Sequence, residues 1–486
     1  MRSVCVPERV HAGPVSAVVV AGSQFPVPRG PILFYAPRMA SIPPSDDTTP
    51  DPTPAELIAA RPQLSMHAMD GLLMDGVPLN GIADAVGTPT WVYSAATIRR
   101  RYQSLTQALK DAGLDAHTHY AVKANDHLAI LSLLGQEGAG ADIVSEGELR
   151  RARHAGIPAD RIVFSGVGKA ERELRLALTE DIGQINVESA EELEMLSALA
   201  ASMGRTARVA LRVNPDVDAG THEKISTGRA RDKFGIPFSD AVALYARAAS
   251  LPGIQPVGLA THIGSQILDL APYRAAYARI ADLVRALRDQ GLQVDSVDCG
   301  GGLGIPYRNE PAPSPAGLAG AIKSAFHNLD VRVALEPGRW LVGPAGVLLT
   351  SVILVKQSLG ARFVVLDGAM NDLIRPAMYD AWHGIVPVSA VDAAGPLSPA
   401  DVVGPICESG DTFARNRPLP PLAQHARVAI LDAGAYGRVM SSPYNARPGA
   451  AEVLVDRDRW SIIRERAPHE SLWAQERVPP FVAPAP

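Results

Sequence analysis

The chain has 486 residues, of which 47% are hydrophobic and 20% are charged, and its formal net charge is −5. This length allows two or three domains with sizeable buried cores. The sequence has no basic excess that would favour nucleic-acid binding, no acidic block typical of a binding tail, and no apolar run approaching the roughly 18 to 20 residues of a membrane-spanning helix. We therefore expect a globular protein without nucleic-acid or membrane partners.

The three cysteines are widely separated along the chain. Cys5, Cys299 and Cys407 form no CxxC pair and no zinc-ligand spacing, and their number is odd. Disulfides are rare in reducing compartments, so this pattern favours a cytoplasmic location and predicts no metal site.

The N-terminal segment has the composition of a disordered extension. Residues 14–22, PVSAVVVAG, follow two arginines and faintly resemble the core of a signal peptide, but the run is short and no convincing cleavage site follows it. Residues 41–54, SIPPSDDTTPDPTP, predict a disordered linker by composition. We expect residues 1–60 to be a disordered extension, or to reflect a start placed ahead of a true first residue at Met39.

Strand-like and helix-like segments alternate from about residue 117. The helical segments are amphipathic, as in AEELEMLSALAASM (190–203) and YRAAYARIADLVRALRDQG (273–291). Alternating strands and helices predict a parallel sheet, and eight such strands predict a closed, TIM-like (β/α)8 barrel. The eight candidate strands cover residues 117–124, 140–146, 161–167, 184–189, 207–214, 257–264, 294–302 and 331–339.

The pattern changes after residue 345. Segments such as AGVLLTSVILVKQ, RFVVLDG and VAILDAGAYG predict strands separated by Pro- and Gly-rich turns, which is typical of a mostly antiparallel β domain of the sandwich or barrel type. The segment 72–94 is also strand-like and is expected to pair with this domain. The predicted organisation is an extension (1–60), N-terminal strands and a helix that join the β domain (61–94), the barrel (95–345), the β domain (346–475) and a flexible tail (476–486).

Reactive residues gather at the carboxyl ends of the predicted barrel strands, where active sites of such barrels lie. Lys123 ends the first strand among small apolar neighbours, and we expect burial to lower the pKa of its ammonium group, which suits Schiff-base chemistry. Gly300–Gly302 end the seventh strand and let backbone N–H groups approach a phosphate, although a lone GGG is more often only a tight turn. With a neighbouring carboxylate to hold a protonated pyridine nitrogen, this joint placement predicts pyridoxal 5′-phosphate (PLP) as cofactor.

Several motifs, in order along the chain, resemble those of the diaminopimelate decarboxylases. They are HYAVKAN, LRVNPDVDAGTHEKISTGRARDKFGI, THIGSQI, CGGGLGI, EPGRW, CESGD and YNARPGAAEVLV, and the resemblance runs from about residue 70 to 465. It implies a PLP enzyme of fold type III, the alanine racemase-like barrel fold. It also implies decarboxylation of meso-2,6-diaminopimelate, a small amino acid, to L-lysine and CO2 in the last step of lysine biosynthesis. The family further implies a homodimer whose active sites lie between one subunit's barrel and the other's β domain.

The resemblance implies a cofactor site around Lys123, which matches the family's Schiff-base lysine. His262 would stack on the pyridine ring, although alone it would be interpreted as a hydrogen-bonded core histidine. Ser265 would contact the phosphate, and Asp142 would orient Lys123 or His262. The other cofactor contacts that the resemblance implies are Ser165, Gly301, Gly302, Glu336, Pro337, Gly338, Arg339 and Tyr444.

Two residues indicate decarboxylation as the reaction. Glu336 beside the pyridine nitrogen would stabilise the pyridinium and make the ring a strong electron sink, whereas alanine racemases of this fold have an arginine there. Cys407 matches the family's proton donor, which is supplied across the dimer interface. Taken alone, Cys407 would more often be a buried structural thiol, but its neighbours Glu408 and Asp411 argue against a core position.

The remaining charges are expected to select the substrate. Arg339, Arg375 and Tyr379 resemble the family's clamp for the carboxylate distant from PLP, and arginine suits this role because its guanidinium pairs bidentately with a carboxylate. Glu408 would pair with the distal ammonium group, and Tyr444 would also contact the substrate. Each arginine could instead form a surface salt bridge.

Two alternatives remain open. One is another decarboxylase of this fold that acts on ornithine, arginine or carboxynorspermidine. The other is a catalytically silent relative that only binds PLP, against which the presence of Lys123, Glu336 and Cys407 argues. The sequence departs from the family pattern at Gly220, where we expect histidine, and at Gly449, where arginine is common.

Overall fold

The computed structural model describes residues 50–220 and 233–482. Most of the predicted extension, with the signal-like run and Met39, lies outside these residues, as do the last four residues of the predicted tail. Residues 221–232, within the long motif that begins LRVNPDVDAG, also lie outside them. Within the described residues, no helix is long and apolar enough to cross a membrane.

The N-terminal region begins with a short helix and a small antiparallel sheet. Thr53 and Glu56 form a reciprocal capping box, and Pro54 occupies the first turn, which explains why a helix starts here. The structure differs at this point from the predicted extension to residue 60, because residues 54–59 are helical. The elements are α1 (Pro54–Ala59), β1 (Leu64–His67), β2 (Gly71–Met74), β3 (Val77–Pro78), α2 (Leu79–Val86) and β4 (Thr90–Ser94).

The next region contains the predicted barrel, which is confirmed. Eight parallel strands close into a ring in the order β5, β6, β7, β8, β9, β11, β12 and β13, and β13 pairs with β5. The elements are α3 (Ala95–Asp111), β5 (Ala116–Ala121), α4 (Leu128–Gln136), β6 (Gly140–Ile143), α5 (Glu146–His154), β7 (Ile162–Phe164), α6 (Glu171–Glu180), β8 (Gln184–Val187), α7 (Ala190–Ser202), β9 (Ala207–Asn214), β10 (Ile236–Pro237), α8 (Ala241–Ser250), β11 (Ile254–Ala260), α9 (Ala271–Asp289), β12 (Ser296–Asp298), α10 (Pro315–Phe326), β13 (Arg332–Leu335) and α11 (Arg339–Val342).

The barrel helices cover the outside of the ring with one apolar face. In α9 the residues Tyr273, Ala276, Tyr277, Ile280 and Val284 are all buried. Their spacing of three or four residues places them on one face of a helix. The amphipathic pattern in the sequence therefore predicted this helix to within two residues at each end.

Several barrel strands end earlier than predicted. Strand β5 ends at Ala121, because Val122–Ala124 form a turn of 3-10 helix. Strand β12 ends at Asp298, and Gly300 and Gly302 follow it with φ values of 68° and 96° that an extended strand does not adopt. Residues predicted at strand ends therefore lie on the turns that follow the strands.

The C-terminal region forms a second, mostly antiparallel sheet, as predicted. Its long strand β14 pairs with β15 through its exposed half, and with β4 and β19 through its buried half. Strand β4 lies between β14 and β20, so the N-terminal segment is part of this sheet. The elements are β14 (Gly346–Ser358), β15 (Ala361–Leu366), α12 (Arg375–Tyr379), β16 (Ile385–Pro387), α13 (Ala390–Ala393), β17 (Ser398–Val403), β18 (Thr412–Leu419), β19 (Arg427–Ile430), β20 (Ala451–Asp456) and β21 (Arg459–Arg464).

A loop of the C-terminal region reaches the barrel beside Lys123. The Tyr436 N–H donates to the Ala124 carbonyl at 2.8 Å, and the Asn125 side-chain amide donates to the Gly434 carbonyl at 3.1 Å. These bonds attach the turn that carries Lys123 to the loop after β19. The two regions therefore meet at the carboxyl end of the barrel.

A buried ion pair attaches the N-terminal region to the same loop. Arg61 Nε donates to Asp432 Oδ2 at 2.8 Å, and both side chains are at least 95% buried. A second guanidinium nitrogen of Arg61 donates to the Tyr307 carbonyl at 2.9 Å. Removing one charge of such a pair leaves the other charge desolvated and unpaired.

We expect Asp432→Asn to lower the free energy of unfolding by about 3 to 5 kcal/mol, because Arg61 keeps its charge in a buried position without a counter-ion. Chemical denaturation of the PLP-loaded protein measures this change. Glu171→Gln is the matched control, since Glu171 pairs with Arg175 on an exposed helix face and its loss should cost about 0.5 kcal/mol or less. Equal destabilisation by the two variants would contradict the expectation.

Candidate active site

Lys123 lies on the turn after β5 because its neighbours are small. Gly338 packs against this turn so closely that a Cβ at residue 338 would lie 3.0 Å from the Ala124 Cβ and 3.1 Å from the Ala121 Cβ. The Ala121 N–H donates to the Pro337 carbonyl at 3.1 Å. The small apolar residues around the lysine therefore allow the segment after β13 to approach it.

The pKa of Lys123 is raised, not lowered as predicted. Burial by itself lowers this pKa, but the charges of Asp142 and Glu336 and the phenol of Tyr436 raise it by more. Asp142 Oδ2 lies 3.6 Å from Lys123 Nζ, and Asp142 is fully buried in β6. The prediction considered only the burial of Lys123 and did not include the carboxylates of Asp142 and Glu336 that face it.

Glu336 lies at the end of β13 inside a polar cluster. Its Oε1 accepts hydrogen bonds from Ser165 Oγ at 3.3 Å and from the Asn186 amide at 3.2 Å. Burial raises the pKa of Glu336 well above its ordinary value, and the neighbouring carboxylates of Asp142 and Asp298 add to this effect. A cationic group bound beside Glu336 would favour its ionised form, as a protonated pyridine nitrogen does.

His262 is oriented by the glycines that follow β12. The Gly301 N–H donates to His262 Nδ1 at 3.1 Å, so the neutral imidazole carries its proton on Nε2. Burial lowers the pKa of His262 well below its ordinary value, and the positive charges of Lys123 and Arg212 lower it further. The ring therefore stays uncharged.

The predicted carboxylate clamp contains two buried arginines, and Tyr379, its third predicted member, lines the same cavity. Arg339 donates to Tyr307 Oη at 2.9 Å and to Ser265 Oγ at 3.1 Å. Arg375 donates to His383 Nε2 at 2.7 Å, and its guanidinium lies 5.1 Å from the centre of the Tyr307 ring. Within the described residues, both arginines donate their hydrogen bonds to neutral groups.

One cavity of about 710 Å³ brings most of these groups together. This volume is in the usual range for a small-molecule site. Of the predicted site residues, the cavity wall includes Lys123, Ser165, His262, Ser265, Gly302, Glu336, Gly338, Arg339, Arg375 and Tyr379. Behind the wall, Asp142 pairs with Lys123 and Gly301 donates to His262, while Pro337 joins Glu336 to Gly338 and accepts a hydrogen bond from the Ala121 N–H.

Three predicted site residues lie elsewhere. Cys407 and Glu408 are exposed on the loop between β17 and β18, and Tyr444 is 48% exposed. Tyr444 Oη donates to Glu408 Oε2 at 3.1 Å, so these residues form one cluster. None of the three lines the cavity that contains Lys123.

The residues of the cavity fit PLP. A Cβ at Gly300, Gly301 or Gly302 would overlap a backbone carbonyl oxygen of a neighbouring strand end. Only glycine therefore allows these strand ends to approach each other so closely, and we call the three glycines the glycine cradle. Lys123 supplies the amine, Glu336 a buried carboxylate for a ring nitrogen, and Ser265 a hydroxyl group. This donor set matches an aldehyde, a basic ring nitrogen and a phosphate.

Comparison with known proteins assigns the family. The model of the family described as "Pyridoxal-dependent decarboxylase, pyridoxal binding domain" matches residues 95–343. The diaminopimelate decarboxylase of Zymomonas mobilis is 48% identical to this chain over 409 residues, covering 84% of this chain and 96% of that protein. The chain belongs to the diaminopimelate decarboxylase family.

Solved structures of this family have the same fold. The diaminopimelate decarboxylase from Helicobacter pylori, complexed with L-lysine, is 40% identical with a TM-score of 0.79, covering 82% of this chain and 98% of that chain. The diaminopimelate decarboxylase from M. jannaschii, also in complex with L-lysine, is 35% identical with a TM-score of 0.83, covering 87% and 99% of the two chains.

Family membership confirms several predictions. This chain is a PLP-dependent carboxy-lyase that combines a parallel (β/α)8 barrel with a mostly antiparallel β domain. Its substrate class is a small amino acid. The roles of individual residues, the domain boundaries and the dimer stay predictions.

Several residues of the site were missed from the sequence. Asn186 and Asp298 lie at the carboxyl ends of β8 and β12, and the rule that active sites lie at these ends could have identified both. Arg212 near the end of β9 could have been found in the same way. Tyr307 and Tyr436 lie on loops, where no periodicity indicates which side chains face inward.

We expect Gly301→Ala to weaken PLP binding at least about tenfold, because the new Cβ would overlap the Glu336 carbonyl and displace the backbone that carries the Glu336 carboxylate. Titration of the apoprotein with PLP, followed by absorbance, measures this loss. Gly320→Ala is the control, since a Cβ on this residue of α10 has no atom within 4 Å and should leave PLP affinity unchanged. If Gly301→Ala bound PLP with the affinity of wild type, the proposed role of the glycine cradle in cofactor binding would be refuted.

Proposed function

We propose that this chain decarboxylates meso-2,6-diaminopimelate to L-lysine and CO2, the last step of lysine biosynthesis, as a cytoplasmic homodimer. Arg339 and Arg375 support this substrate most directly. Both guanidinium groups are buried on the wall of the Lys123 cavity, and in the described residues neither is paired with a carboxylate. A cytoplasmic location agrees with Cys299 and Cys407, which are both free thiols.

The cofactor would be held by residues of one subunit's barrel. Lys123 would form the covalent attachment, His262 would cover one face of the ring, and Ser265 and Gly302 would contact the phosphate. PLP supplies a conjugated pyridine ring that accepts the electron pair left on the substrate's α-carbon when CO2 departs.

Glu336 would hold a proton on the pyridine nitrogen. Ser165 and Asn186 donate to its carboxylate and fix its orientation at the end of β13. A protonated ring nitrogen withdraws electrons more strongly than a neutral one, which favours loss of CO2. A carboxylate at this position therefore supports decarboxylation.

The two arginines would bind the carboxylate at the distal end of the substrate. Burial lowers the pKa of Arg375, and the nearby charge of Arg339 lowers it further, so an anion between them would relieve both effects. Tyr379 lines the cavity beside them. Ornithine lacks a distal carboxylate and would leave two buried charges unpaired, which disfavours it by about 3 to 5 kcal/mol.

A second copy of the chain would complete the site. Cys407, Glu408 and Tyr444 form one exposed cluster outside the Lys123 cavity of their own chain. In a symmetric dimer this cluster can meet the partner's cavity. Cys407 would then donate the proton to the α-carbon, Glu408 would bind the distal ammonium group, and Tyr444 would contact substrate and phosphate.

Two other functions are disfavoured. A decarboxylase for ornithine, arginine or carboxynorspermidine would leave the buried pair Arg339 and Arg375 without its carboxylate. A silent PLP-binding relative would not need to retain Lys123, Glu336 and Cys407 together, and all three are present.

We expect the purified, PLP-loaded protein to release CO2 from meso-diaminopimelate and to show at least about a hundredfold lower kcat/KM with ornithine, because a desolvated arginine is left unpaired. Steady-state CO2 assays on both substrates measure the ratio. Arg375→Ala should lower kcat/KM for diaminopimelate by about two orders of magnitude while PLP content stays unchanged. A preference for ornithine would refute the proposed substrate.

The shared site can be tested by mixing subunits. We expect Lys123→Ala and Cys407→Ala homodimers each to be nearly inactive, the first without covalent PLP and the second with normal PLP content. A heterodimer of the two variants contains one site with both native residues, so up to about half of the wild-type activity per site should return. Verified heterodimers that recover nothing would exclude donation of the thiol across the interface.

A further inference from the structure

A carboxylate near the start of the described chain contacts the wall of the active-site cavity. Asp51 Oδ1 accepts a hydrogen bond from Trp382 Nε1 at 3.0 Å. The same carboxylate lies 3.3 Å from Nε of Arg417 and 3.7 Å from Nε of Arg308. Trp382 and Arg308 line the cavity together with Arg375. One acidic side chain thus accepts a hydrogen bond from the Trp382 indole and lies at ion-pair distance from two arginines near the predicted distal end of the substrate site.

Asp51 places a negative charge beside two arginines at this part of the wall. The guanidinium of Arg417 lies 4.0 Å from the centre of a Trp382 ring, and that of Arg308 lies 5.4 Å from it. Burial and, to a smaller extent, the charge of Arg308 lower the pKa of Arg417 to about 10, against the opposite effect of Asp51. The indole is therefore positioned by two cations whose repulsion Asp51 offsets.

The same ion pair supports the arginine of the predicted clamp. Arg417 donates to the His383 carbonyl at 2.6 Å. His383 Nδ1 donates to the Leu431 carbonyl at 2.8 Å, which leaves Nε2 to accept the hydrogen bond from Arg375 at 2.7 Å. Burial and the charge of Arg375 hold the pKa of His383 well below its ordinary value, so this acceptor stays neutral. The position of Arg375 thus depends on a segment that Arg417 holds in place.

We propose that Asp51 is a positioning residue of the substrate site, which fixes Trp382 and Arg308 on the cavity wall next to Arg375 and thereby sets the affinity for an amino acid with a distal carboxylate. This inference rests on the proposed function and assigns a role to a residue that precedes the matched pyridoxal-binding domain. Asp51 acts through the wall and takes no part in the chemical step. Its loss should therefore affect substrate binding more than turnover.

We expect Asp51→Ala to raise KM for meso-diaminopimelate by about 5- to 20-fold and to leave kcat within about twofold, because the indole loses its charge-assisted hydrogen bond and Arg308 and Arg417 lose their shared counter-ion. Asp51→Asn keeps an acceptor for the indole N–H but no charge, so its KM should lie between those of wild type and Asp51→Ala. Asp70→Ala is the matched control, since Asp70 lies between β1 and β2 and forms an exposed pair with His67.

A spectroscopic readout separates positioning from a general loss of structure. The near-ultraviolet circular dichroism of Trp382, assigned by difference from Trp382→Phe, should change in Asp51→Ala and persist in Asp51→Asn, with PLP content unchanged in both. The inference would be overturned if the KM of Asp51→Ala were no more than twice that of wild type. It would also be overturned if kcat and PLP content fell together in both Asp51 variants. A wild-type protein that releases no CO2 from diaminopimelate would instead refute the proposed function.

Discussion

The close packing of two turns at the carboxyl end of the barrel is the constraint on which the site depends. Gly338 after β13 lies against Ala121 at the end of β5 and Ala124 in the turn that follows, at distances that leave no room for a larger side chain. Because the two turns meet this closely, the amine of Lys123 and the carboxylate of Glu336 face the same cavity. The small apolar residues beside Lys123 are therefore a contact surface between strand ends, and the barrel closure determines which reactive groups become neighbours.

Each half of the cavity has an excess of one charge. Three buried carboxylates lie around the lysine, those of Asp142, Asp298 and Glu336. Burial and the repulsion from the other two carboxylates raise the pKa of Glu336. At the other end, Arg339 and Arg375 are buried beside neutral hydrogen-bond partners. A bound molecule with a cationic ring at one end and a carboxylate at the other would neutralise both halves. The electrostatics therefore favour a substrate with a second carboxylate over one with an amine alone.

The sequence predicted the alternation of strands and helices and placed Lys123, Asp142 and Glu336 near the carboxyl ends of strands, because hydrophobic periodicity and the rule for barrel active sites both apply there. It did not predict the direction in which the pKa of Lys123 shifts, since this depends on Asp142, whose carboxylate lies 3.6 Å away on the neighbouring strand β6. It also missed Tyr307 and Tyr436, which loops bring to the cavity without any periodic signal. Contacts between segments far apart in the chain, such as Asp51 with Trp382, leave no local pattern in the sequence and could not be predicted from it.

The β domain contributes to the site of its own chain and, in the proposed dimer, would contribute to the partner's site. Within its own chain, the loop that carries Tyr436 bonds to Ala124 and so holds the lysine turn in place. On a different edge, the same domain exposes Cys407 beside Glu408, away from that cavity. A thiol that must protonate one face of a carbanion needs a fixed position, and an exposed loop does not provide one. Docking against a second barrel would bury this loop and fix the thiol, so dimer formation itself would assemble the proton donor.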